Sequence, residues 1–214
     1  MRRVALVDPG SGNLASVRRA VERAAEGGVA VEITREAESL RHADAVILPG
    51  QGAFAACRAG LDALDGMVGA LYEAVQVRGL PFLGICVGMQ LLAEKGLEHG
   101  ETPGLAWLPG VVAPMDPRAP DGSPLPLPQM GWNALDIHHP HPVLAGIASG
   151  DHAYFVHSYA WQGAAEADLL ATTDYGGPVT AIIGRGNVVA TQFHAEKSAA
   201  LGLTLLRNFL QWRP

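Results

Sequence analysis

The chain of 214 residues has little cysteine, no excess of positive charge and no long apolar run. Its two cysteines, Cys57 and Cys86, cannot form a disulfide framework and lack the spacing of metal ligands. Twenty-one acidic against fifteen basic residues give a formal net charge of −6, which argues against a nucleic acid or an anionic membrane as the main partner. No apolar run approaches the roughly 18–20 residues of a membrane helix, and the one after Met1-Arg2-Arg3 ends at Asp8-Pro9-Gly10, too early for a secretory signal. We therefore expect a cytoplasmic protein.

The first half of the chain alternates short β-branched runs with helical patterns, which is typical of a mostly parallel α/β sheet. The predicted strands are residues 4–7, 29–34, 45–48 and 80–83. Between the first two strands, Leu14, Val17, Val21 and Ala24 form one apolar helical stripe. A longer helical stretch is predicted over about residues 53–78.

The second half of the chain is less regular. Six prolines between Pro114 and Pro128 exclude a helix or a central strand there, and they favour a long surface loop over a domain linker. Later strands are predicted at residues 153–160, 169–173, 180–183 and 188–193, some of them antiparallel, before a last helix that begins at Ser198. We predict a single α/β domain over residues 1–214, with a central, mostly parallel sheet flanked by helices and an added antiparallel portion in the second half.

The sharpest chemical signal is the segment Gly84-Ile85-Cys86-Val87-Gly88-Met89-Gln90, which follows a predicted strand and begins a helical pattern. A nucleophile on so tight a turn needs small residues two positions before and two positions after it. Cys86 would point into a cleft, where the N–H groups at the start of the helix stabilise a thiolate. The backbone N–H of Val87 can hold an oxyanion. Gln90 lies one helical turn further on the same face and can hydrogen-bond a polar substrate. The alternative is a buried cysteine between glycines that allow close packing.

A thiolate nucleophile needs a general base, and Phe193-His194-Ala195-Glu196 supplies one together with its orienting group. In extended chain, residues two apart point to the same side, so Glu196 can accept from one imidazole nitrogen while the other faces Cys86. Alone, His194 is more simply a histidine at a strand end and Glu196 a solvated carboxylate. Together with the cysteine turn, they predict a Cys86-His194-Glu196 triad.

A further glycine turn, Leu48-Pro49-Gly50-Gln51-Gly52-Ala53-Phe54, again joins a predicted strand to a helix. Gly50 and Gly52 would let the backbone approach a ligand closely, and an amide near Gln51 or Gly52 is a candidate for the second oxyanion donor. Glycine turns after strands are common, so this segment taken alone is weak evidence.

Other candidates have simpler explanations. Cys57 lies in a helical pattern and is expected to be a small core residue. The cluster His138-His139-Pro140-His141-Pro142 is stiffened by proline and has no second ligand pair at suitable spacing, so we predict no metal site. His157, Ser158 and Tyr159 suit the lining of a pocket better than a serine site, because no glycine turn surrounds Ser158.

Taken in order, these motifs resemble the class I, or triad-type, glutamine amidotransferase family over almost the whole chain. The turn at Cys86 and the His-x-Glu pair are typical of the family as a whole. Further stretches narrow the resemblance to the glutaminase subunits of imidazole glycerol phosphate synthase, from histidine biosynthesis. These stretches are Pro49-Gly-Gln-Gly-Ala-Phe54, Met130-Gly-Trp-Asn133, Phe155-Val-His-Ser-Tyr159 and Gln192-Phe-His-Ala-Glu-Lys-Ser198.

The resemblance implies an enzyme without a cofactor that hydrolyses glutamine through a thioester on Cys86, with the backbone amides of Gln51 and Val87 holding the oxyanion. It implies that the ammonia passes to a partner (β/α)8-barrel cyclase, which makes imidazole glycerol phosphate and an aminoimidazole carboxamide ribotide. The residues implied to hold glutamine are Gly50, Gly52, Gln90, His157, Ser158 and Tyr159. Those implied to face the cyclase are Asn13, Trp132 and Lys197.

Two positions depart from the family pattern, Ala195 where proline is usual and Gln51 where valine is common. Ala195 predicts a less rigid loop around the His-Glu pair. Gln51 predicts an altered preferred orientation of the peptide group beside the oxyanion donor. Three other functions stay open: a glutaminase that serves anthranilate, pyridoxal phosphate or purine synthesis, a peptidase-like thiol hydrolase, and a non-enzymatic subunit that keeps the fold. The Gly-Ala-Phe and Val-His-Ser-Tyr stretches disfavour the first. Gln90 and the His-x-Glu spacing disfavour the second, and the intact triad disfavours the third.

Overall fold

Thirteen strands and five α-helices are present in the computed structural model, which describes all 214 residues. The strands are β1 (Arg2–Val7), β2 (Val29–Thr34), β3 (Ala45–Gly50), β4 (Phe82–Cys86), β5 (Lys95–Gly96), β6 (Thr102–Pro103), β7 (Val111–Pro114), β8 (Gln129–Ile137), β9 (His152–His157), β10 (Tyr159–Gln162), β11 (Leu169–Asp174), β12 (Pro178–Arg185) and β13 (Val188–Thr191). The α-helices are α1 (Leu14–Ala25), α2 (Phe54–Asp62), α3 (Met67–Tyr72), α4 (Val87–Gln90) and α5 (Ala199–Gln211). Short 3₁₀ helices lie at Ala37–His42, Pro142–Leu144, Glu166–Asp168 and Ala195–Lys197, and a π-helical turn at Glu73–Val77.

Nine of the strands form one sheet in the order β2-β1-β3-β4-β13-β12-β11-β8-β9. The four pairings from β2 to β13 are parallel, and the four from β13 to β9 are antiparallel. Every residue of β3 and β4 is buried, as expected for parallel strands whose two faces are both covered. The predicted fold, an α/β sheet with an antiparallel portion in the second half, is therefore confirmed.

The other four strands make a small second sheet, in the order β10-β7-β5-β6, that the sequence did not predict. Strands β5 and β6 have two residues each, too few to show an alternating pattern. The strand predicted over residues 153–160 is divided at Ser158, because β9 pairs with β8 in the large sheet while β10 pairs with β7 in the small one. Strand β8 was also missed, since its composition resembles a loop at Gly131 and Asn133.

The long helix predicted over about residues 53–78 is interrupted. Gly66, between α2 and α3, has a φ of +66°, a left-handed conformation that glycine adopts without steric cost. The proline-rich segment between β7 and β8 contains no helix and only an isolated bridge between Arg118 and Pro124, in agreement with the predicted surface loop.

One hydrophobic core of 54 buried residues extends through both sheets and the helices packed on them. Within it, the rings of Phe155 on β9 and Phe193 after β13 meet edge-on with centroids 5.6 Å apart. This contact ties the antiparallel strands to the segment that follows β13. No helix is both long enough and apolar enough to cross a membrane.

Three chain segments leave the same edge of the large sheet, at the carboxyl ends of β3, β4 and β13. Gly50 at the end of β3 is paired with Cys86 at the end of β4. Thr191 at the end of β13 is paired with Ile85. Because these strands are parallel, the glycine turn after Gly50, the turn at Cys86 and the segment around His194 all emerge on one side, where open α/β sheets bind their ligands.

Candidate active site

Cys86 occupies the strained turn that the sequence predicted. Its φ is +55° and its ψ −112°, a conformation that a residue with a side chain seldom adopts and that clusters at functional sites. The flanking glycines are required by space. A Cβ at Gly84 would lie 2.8 Å from the carbonyl oxygen of Gly88, and one at Gly88 would lie 1.8 Å from the carbonyl oxygen of Leu48.

We expect Gly88→Ala to prevent the accumulation of folded protein, because the added methyl group would overlap a backbone atom of β3 that cannot move aside. The matched control is Gly69→Ala in α3, where a Cβ meets nothing within 4 Å and the helix gains a better helix former. Thermal unfolding and soluble yield measure both variants. A Gly88→Ala protein that unfolds at the wild-type temperature would contradict the packing described here.

His194 and Glu196 form a buried pair beside this turn. His194 Nδ1 and Glu196 Oε1 are 2.8 Å apart, and the two side chains are 4% and 2% exposed. The expected contact is present, but its expected cause was wrong: Glu196 lies in the 3₁₀ turn Ala195–Lys197, not in extended chain. The turn folds the Glu196 carboxylate back towards the ring of His194, the residue that precedes the turn.

The environment of His194 favours its charged form. Burial by itself lowers the pKa of the ring, but hydrogen bonds to the Cys86 thiol and to Glu196, with their charges, outweigh it and raise the pKa to about 9. Since Nδ1 is occupied by Glu196, the nitrogen that faces Cys86 is Nε2. Gln192 Nε2 also lies 3.8 Å from Cys86 Sγ. The arrangement can therefore hold a thiolate next to an imidazolium, and a thiolate is the reactive form of a cysteine nucleophile.

A cavity of about 320 Å³ opens in front of Cys86. It brings together nearly all the residues that the sequence predicted to hold glutamine or the oxyanion. Its lining residues are Gln51, Gly52, Cys86, Val87, Gln90, Glu98, Pro128, Val156, His157, Ser158, Tyr159 and His194. Of the residues expected to hold glutamine or the oxyanion, Gly50 alone is not among the lining residues, and Glu196 lies behind His194. Gly50 packs against the turn at Cys86, where a Cβ would lie 2.8 Å from the backbone nitrogen of Gly88.

The polar groups of the cavity are fixed by contacts within the protein. Gln90 Nε2 donates to the carbonyl of Tyr159 and to Gln192 Oε1, both at 3.1 Å, so its Oε1 is what a ligand can use. His157 Nδ1 donates to the same carbonyl of Tyr159 at 2.9 Å. Burial lowers the pKa of His157 to about 4, so its ring is neutral above that pH.

Sequence reasoning missed two polar residues of the site. Glu98 brings a carboxylate to the cavity, and its Oε2 accepts from the backbone N–H of Phe54 at the start of α2 at 2.7 Å. It lies between β5 and β6, which carry no recognisable pattern. Gln192 was quoted only as part of a motif, yet it is fully buried between Gln90 and Cys86. A polar side chain in an otherwise apolar strand run was the available signal.

The three residues expected to face a partner are placed differently from one another. Asn13 caps α1, since its side chain accepts from the N–H of Ser16 at 3.2 Å. Trp132 is 50% exposed and meets Tyr154 edge-on. Lys197 directly follows Glu196 in the 3₁₀ turn. The exposure of Trp132 is unusual for a side chain of this size.

The remaining candidates have local partners. His138 Nε2 lies 2.8 Å from Thr172 Oγ1, and His139 Nε2 lies 3.2 Å from the carbonyl of Glu166. His141 accepts from the N–H of Val143, and its ring packs against that of Trp212. The three rings thus make separate contacts and do not converge on one point. Cys57 is fully buried on α2, as expected of a core residue.

Comparison with known proteins decides the family. The family model described as glutamine amidotransferase class-I matches residues 5–212. The chain belongs to this family. Among class I glutamine amidotransferases, it is 57% identical over 216 residues to the imidazole glycerol phosphate synthase subunit HisH of Rhodospirillum rubrum, covering 99% of this chain and the whole relative. It is 53% identical over 218 residues to the HisH subunit of Brucella suis, with the same coverage.

A solved structure shows the same fold. A crystal structure described as a glutamine amidotransferase superposes with a TM-score of 0.72 at 22% identity, over 97% of each chain. At that identity the likeness concerns the fold alone.

Proposed function

We propose that this chain is the glutaminase subunit of an imidazole glycerol phosphate synthase, hydrolysing glutamine to glutamate and ammonia. One observation carries the proposal. Cys86 lies on a strained turn at the edge of a small-molecule cavity, with His194 and Glu196 hydrogen-bonded in series behind it. A thiolate with a charged acid beside it suits attack on an amide whose nitrogen must leave as ammonia.

The chemistry runs in two steps. Cys86 Sγ attacks the side-chain amide carbon of glutamine, and the negative charge on the amide oxygen is held by the backbone N–H groups of Val87 and of the turn at Gln51. His194 gives its proton to the nitrogen, the C–N bond breaks, and ammonia and a glutamyl thioester result. Water, losing a proton to His194, then attacks the thioester, and glutamate leaves as the thiolate is restored. Glu196 holds the ring in the orientation that both proton transfers need.

The cavity provides groups for both ends of glutamine. Gln90 Oε1 can accept from the substrate, and Gly52, Ser158 and Tyr159 supply the surrounding wall. His157 is neutral and shapes the wall beside Tyr159. The carboxylate of Glu98 is suited to the α-ammonium group, because it is the only carboxylate among the residues that line the cavity.

Glu98→Gln is expected to raise KM for glutamine by about tenfold and to change kcat less than about threefold, because it removes a charge that holds the substrate equally in ground and transition states. The variant keeps an oxygen that can accept from Phe54 N–H. The control is Glu101→Gln, on the same segment but paired with Lys95 and 63% exposed. Steady-state kinetics of both decide the matter, and a KM for Glu98→Gln equal to that of the control would contradict the role of Glu98.

We further propose that the ammonia passes to a (β/α)8-barrel cyclase, which uses it to make imidazole glycerol phosphate and an aminoimidazole carboxamide ribotide. The names of the full-length relatives support an assembly with a second subunit. Leu127, Met130 and Trp132 have exposed side chains and are close in sequence to Pro128, which lines the cavity. A partner that docks there would cover them. Asn13 and Lys197 belong to the same proposed interface.

The remaining proposals concern the setting of the enzyme. We propose that residues 1–214 act as one domain, that no cofactor or metal takes part, and that the protein works in the cytoplasm. Both cysteines are free, and a thiol nucleophile needs a reducing compartment to stay active. None of these proposals alters the chemistry assigned to Cys86.

Covalent labelling by a glutamine analogue that carries an electrophile tests the proposal. We expect one adduct per chain, located at Cys86 by peptide mass spectrometry and prevented by excess glutamine. Labelling without protection by glutamine would indicate a thiol hydrolase of another specificity. The absence of labelling would indicate a non-enzymatic subunit.

A further inference from the structure

A chain of hydrogen bonds outside the triad reaches the glycine turn beside the nucleophile. Cys57 Sγ lies 3.3 Å from the carbonyl oxygen of Gln51, and Ser11 Oγ lies 3.0 Å from Cys57 Sγ. Cys57 is fully buried in α2, one turn after Phe54. Ser11 belongs to the loop that follows β1. Two segments distant in sequence thus converge on one peptide group of the turn.

The direction of these bonds follows from their atoms. The carbonyl of Gln51 can only accept, so the single thiol hydrogen of Cys57 must be the one donated to it. The hydroxyl of Ser11 then donates to the sulfur. Burial raises the pKa of the Cys57 thiol, so that it keeps the hydrogen that it donates. The order is Ser11 O–H to Cys57 S–H to the Gln51 carbonyl.

Close packing holds this chain of bonds in place. A Cβ at Gly60 would lie 1.9 Å from the carbonyl oxygen of Pro9, so α2 approaches the loop after β1 as closely as backbone allows. A Cβ at Gly12 would lie 4.0 Å from the backbone nitrogen of Gln51. The loop that carries Ser11 therefore passes both Cys57 and the turn that Cys57 holds.

The held peptide group is one that could otherwise rotate. Gly52 has a φ of +93°, and glycine has a wide choice of backbone conformations. In a planar trans peptide the C=O and N–H point in opposite directions. Anchoring the Gln51 carbonyl on the side of α2 turns the N–H of Gly52 away from Cys57. The same anchor limits rotation of the backbone at Gln51, and so limits how far the N–H of Gln51 itself can turn.

We propose that Ser11 and Cys57 are positioning residues for the oxyanion turn, the glycine turn from Gly50 to Gly52. They hold the Gln51 carbonyl on the core side. An N–H group of the turn is thereby directed at the oxygen of the bound substrate amide. This inference rests on the proposed glutaminase function and on the role given there to the turn. Cys57 touches neither the substrate nor Cys86, and it acts through the backbone. Gln51 is not β-branched, so its side chain restricts the backbone less than the valine that is common at this position. An anchor on the Gln51 carbonyl is therefore useful.

Three variants test this, each measured in the assembled complex with the cyclase. Cys57→Ala removes the donor with little loss of volume, and Cys57→Ser restores a donor. We expect kcat for glutamine hydrolysis to fall about five- to tenfold in Cys57→Ala and to stay within about threefold of wild type in Cys57→Ser, with KM changed less than about twofold in both. Ser11→Ala, which leaves the thiol hydrogen but not its orientation, should lower kcat about threefold.

Two further measurements separate positioning from packing. The rate of alkylation of Cys86 by iodoacetamide should be unchanged in Cys57→Ala, because thiolate formation depends on His194 and not on the turn. The thermal unfolding temperatures of the variants should not follow the order of their kcat values. Cys57→Ser should not be more stable than Cys57→Ala, since burying a hydroxyl in place of a methyl group does not stabilise a core. If both quantities fall in step with kcat, Cys57 is a packing residue and the inference is overturned.

Other outcomes are equally decisive. A Cys57→Ala enzyme with wild-type kcat, or a Cys57→Ser enzyme as impaired as Cys57→Ala, overturns the inference. Should Cys57→Ala fail to fold, Ser11→Ala takes its place, and an unchanged kcat in that variant overturns it as well. A wild-type complex that does not hydrolyse glutamine would reject the proposed function itself, which is a different result from an active wild type indifferent to changes at Cys57.

Discussion

Cys86→Ala is expected to lower kcat for glutamine hydrolysis by at least about 10⁴-fold, to the limit of detection. No other side chain of the cavity can form the thioester intermediate, because the only other cysteine, Cys57, lies in the core behind the glycine turn. Removing the nucleophile alone lowers kcat about as much as removing all members of a catalytic triad together. Glutamate release, measured over hours in the assembled complex, is the assay. The fold should be retained, since alanine is smaller than cysteine.

The matched control for this prediction is the second cysteine. Cys57→Ser removes a thiol but is expected to stay within about threefold of wild type. Iodoacetamide should inactivate this variant as fast as it inactivates the wild type, and should leave Cys86→Ala unmodified at position 86. Glutaminase activity in Cys86→Ala above that of a mock purification would refute the thioester mechanism.

Glu196→Gln is expected to lower kcat by about 10³-fold and to move the alkaline limb of the pH profile to lower pH. The carboxylate accepts from His194 Nδ1 at 2.8 Å and is one of the groups that raise the pKa of the ring to about 9. A neutral amide stabilises the imidazolium less and can hold the ring in the wrong tautomer. Rates of glutamine hydrolysis from pH 6 to 10, for both enzymes, measure the two effects.

The sign of the pH effect follows from the charge on His194. In the wild type its pKa is raised, so the ring keeps its proton through neutral pH and loses it as the pH rises through about 9. The leaving nitrogen then lacks its proton donor, and kcat should fall above that pH. The stabilising contribution of the ion pair follows the same course: it is complete below about pH 6.5, the ordinary value for histidine, and disappears as the pH rises through about 9.

Two features keep the interpretation of this profile simple. His157, the other histidine of the cavity, has a pKa lowered to about 4 by burial and does not ionise in the range measured. Glu38→Gln, which changes a carboxylate that is 68% exposed and paired with Arg41, serves as the control and should leave the profile unchanged. A Glu196→Gln enzyme with the wild-type alkaline limb would show that Glu196 does not act through His194.

The triad could be predicted from sequence because its members are written in short local patterns. Gly84, Cys86 and Gly88 follow a run of apolar residues, and the same backbone crowding that demands glycine makes the turn recognisable. His194 and Glu196 are two residues apart, so their contact needs no long-range information. The parallel strands were found for a similar reason, since each is a short run of buried apolar residues.

What the sequence did not predict depends on contacts between distant segments. Strands β5 and β6 are defined by their pairing in the small sheet, where β5 lies between β6 and β7, and two residues carry no periodicity. Glu98 enters the cavity through this small sheet, and for that reason its carboxylate could not be placed. Gly50 was assigned to the pocket because glycine permits close approach. In the structure, the group that approaches Gly50 closely is the turn at Cys86.

The proposed function of this chain is to make ammonia from glutamine for a cyclase that docks on it. The most direct test is glutamate release by the purified chain, measured alone, with the barrel cyclase, and with the cyclase and its ribonucleotide substrate together. We expect slow or undetectable release by the chain alone and strong stimulation by the cyclase and its substrate together, with imidazole glycerol phosphate formed in equal amount. Glutamate release that is unaffected by the cyclase would contradict the assigned partner, and no release under any condition would contradict the glutaminase itself.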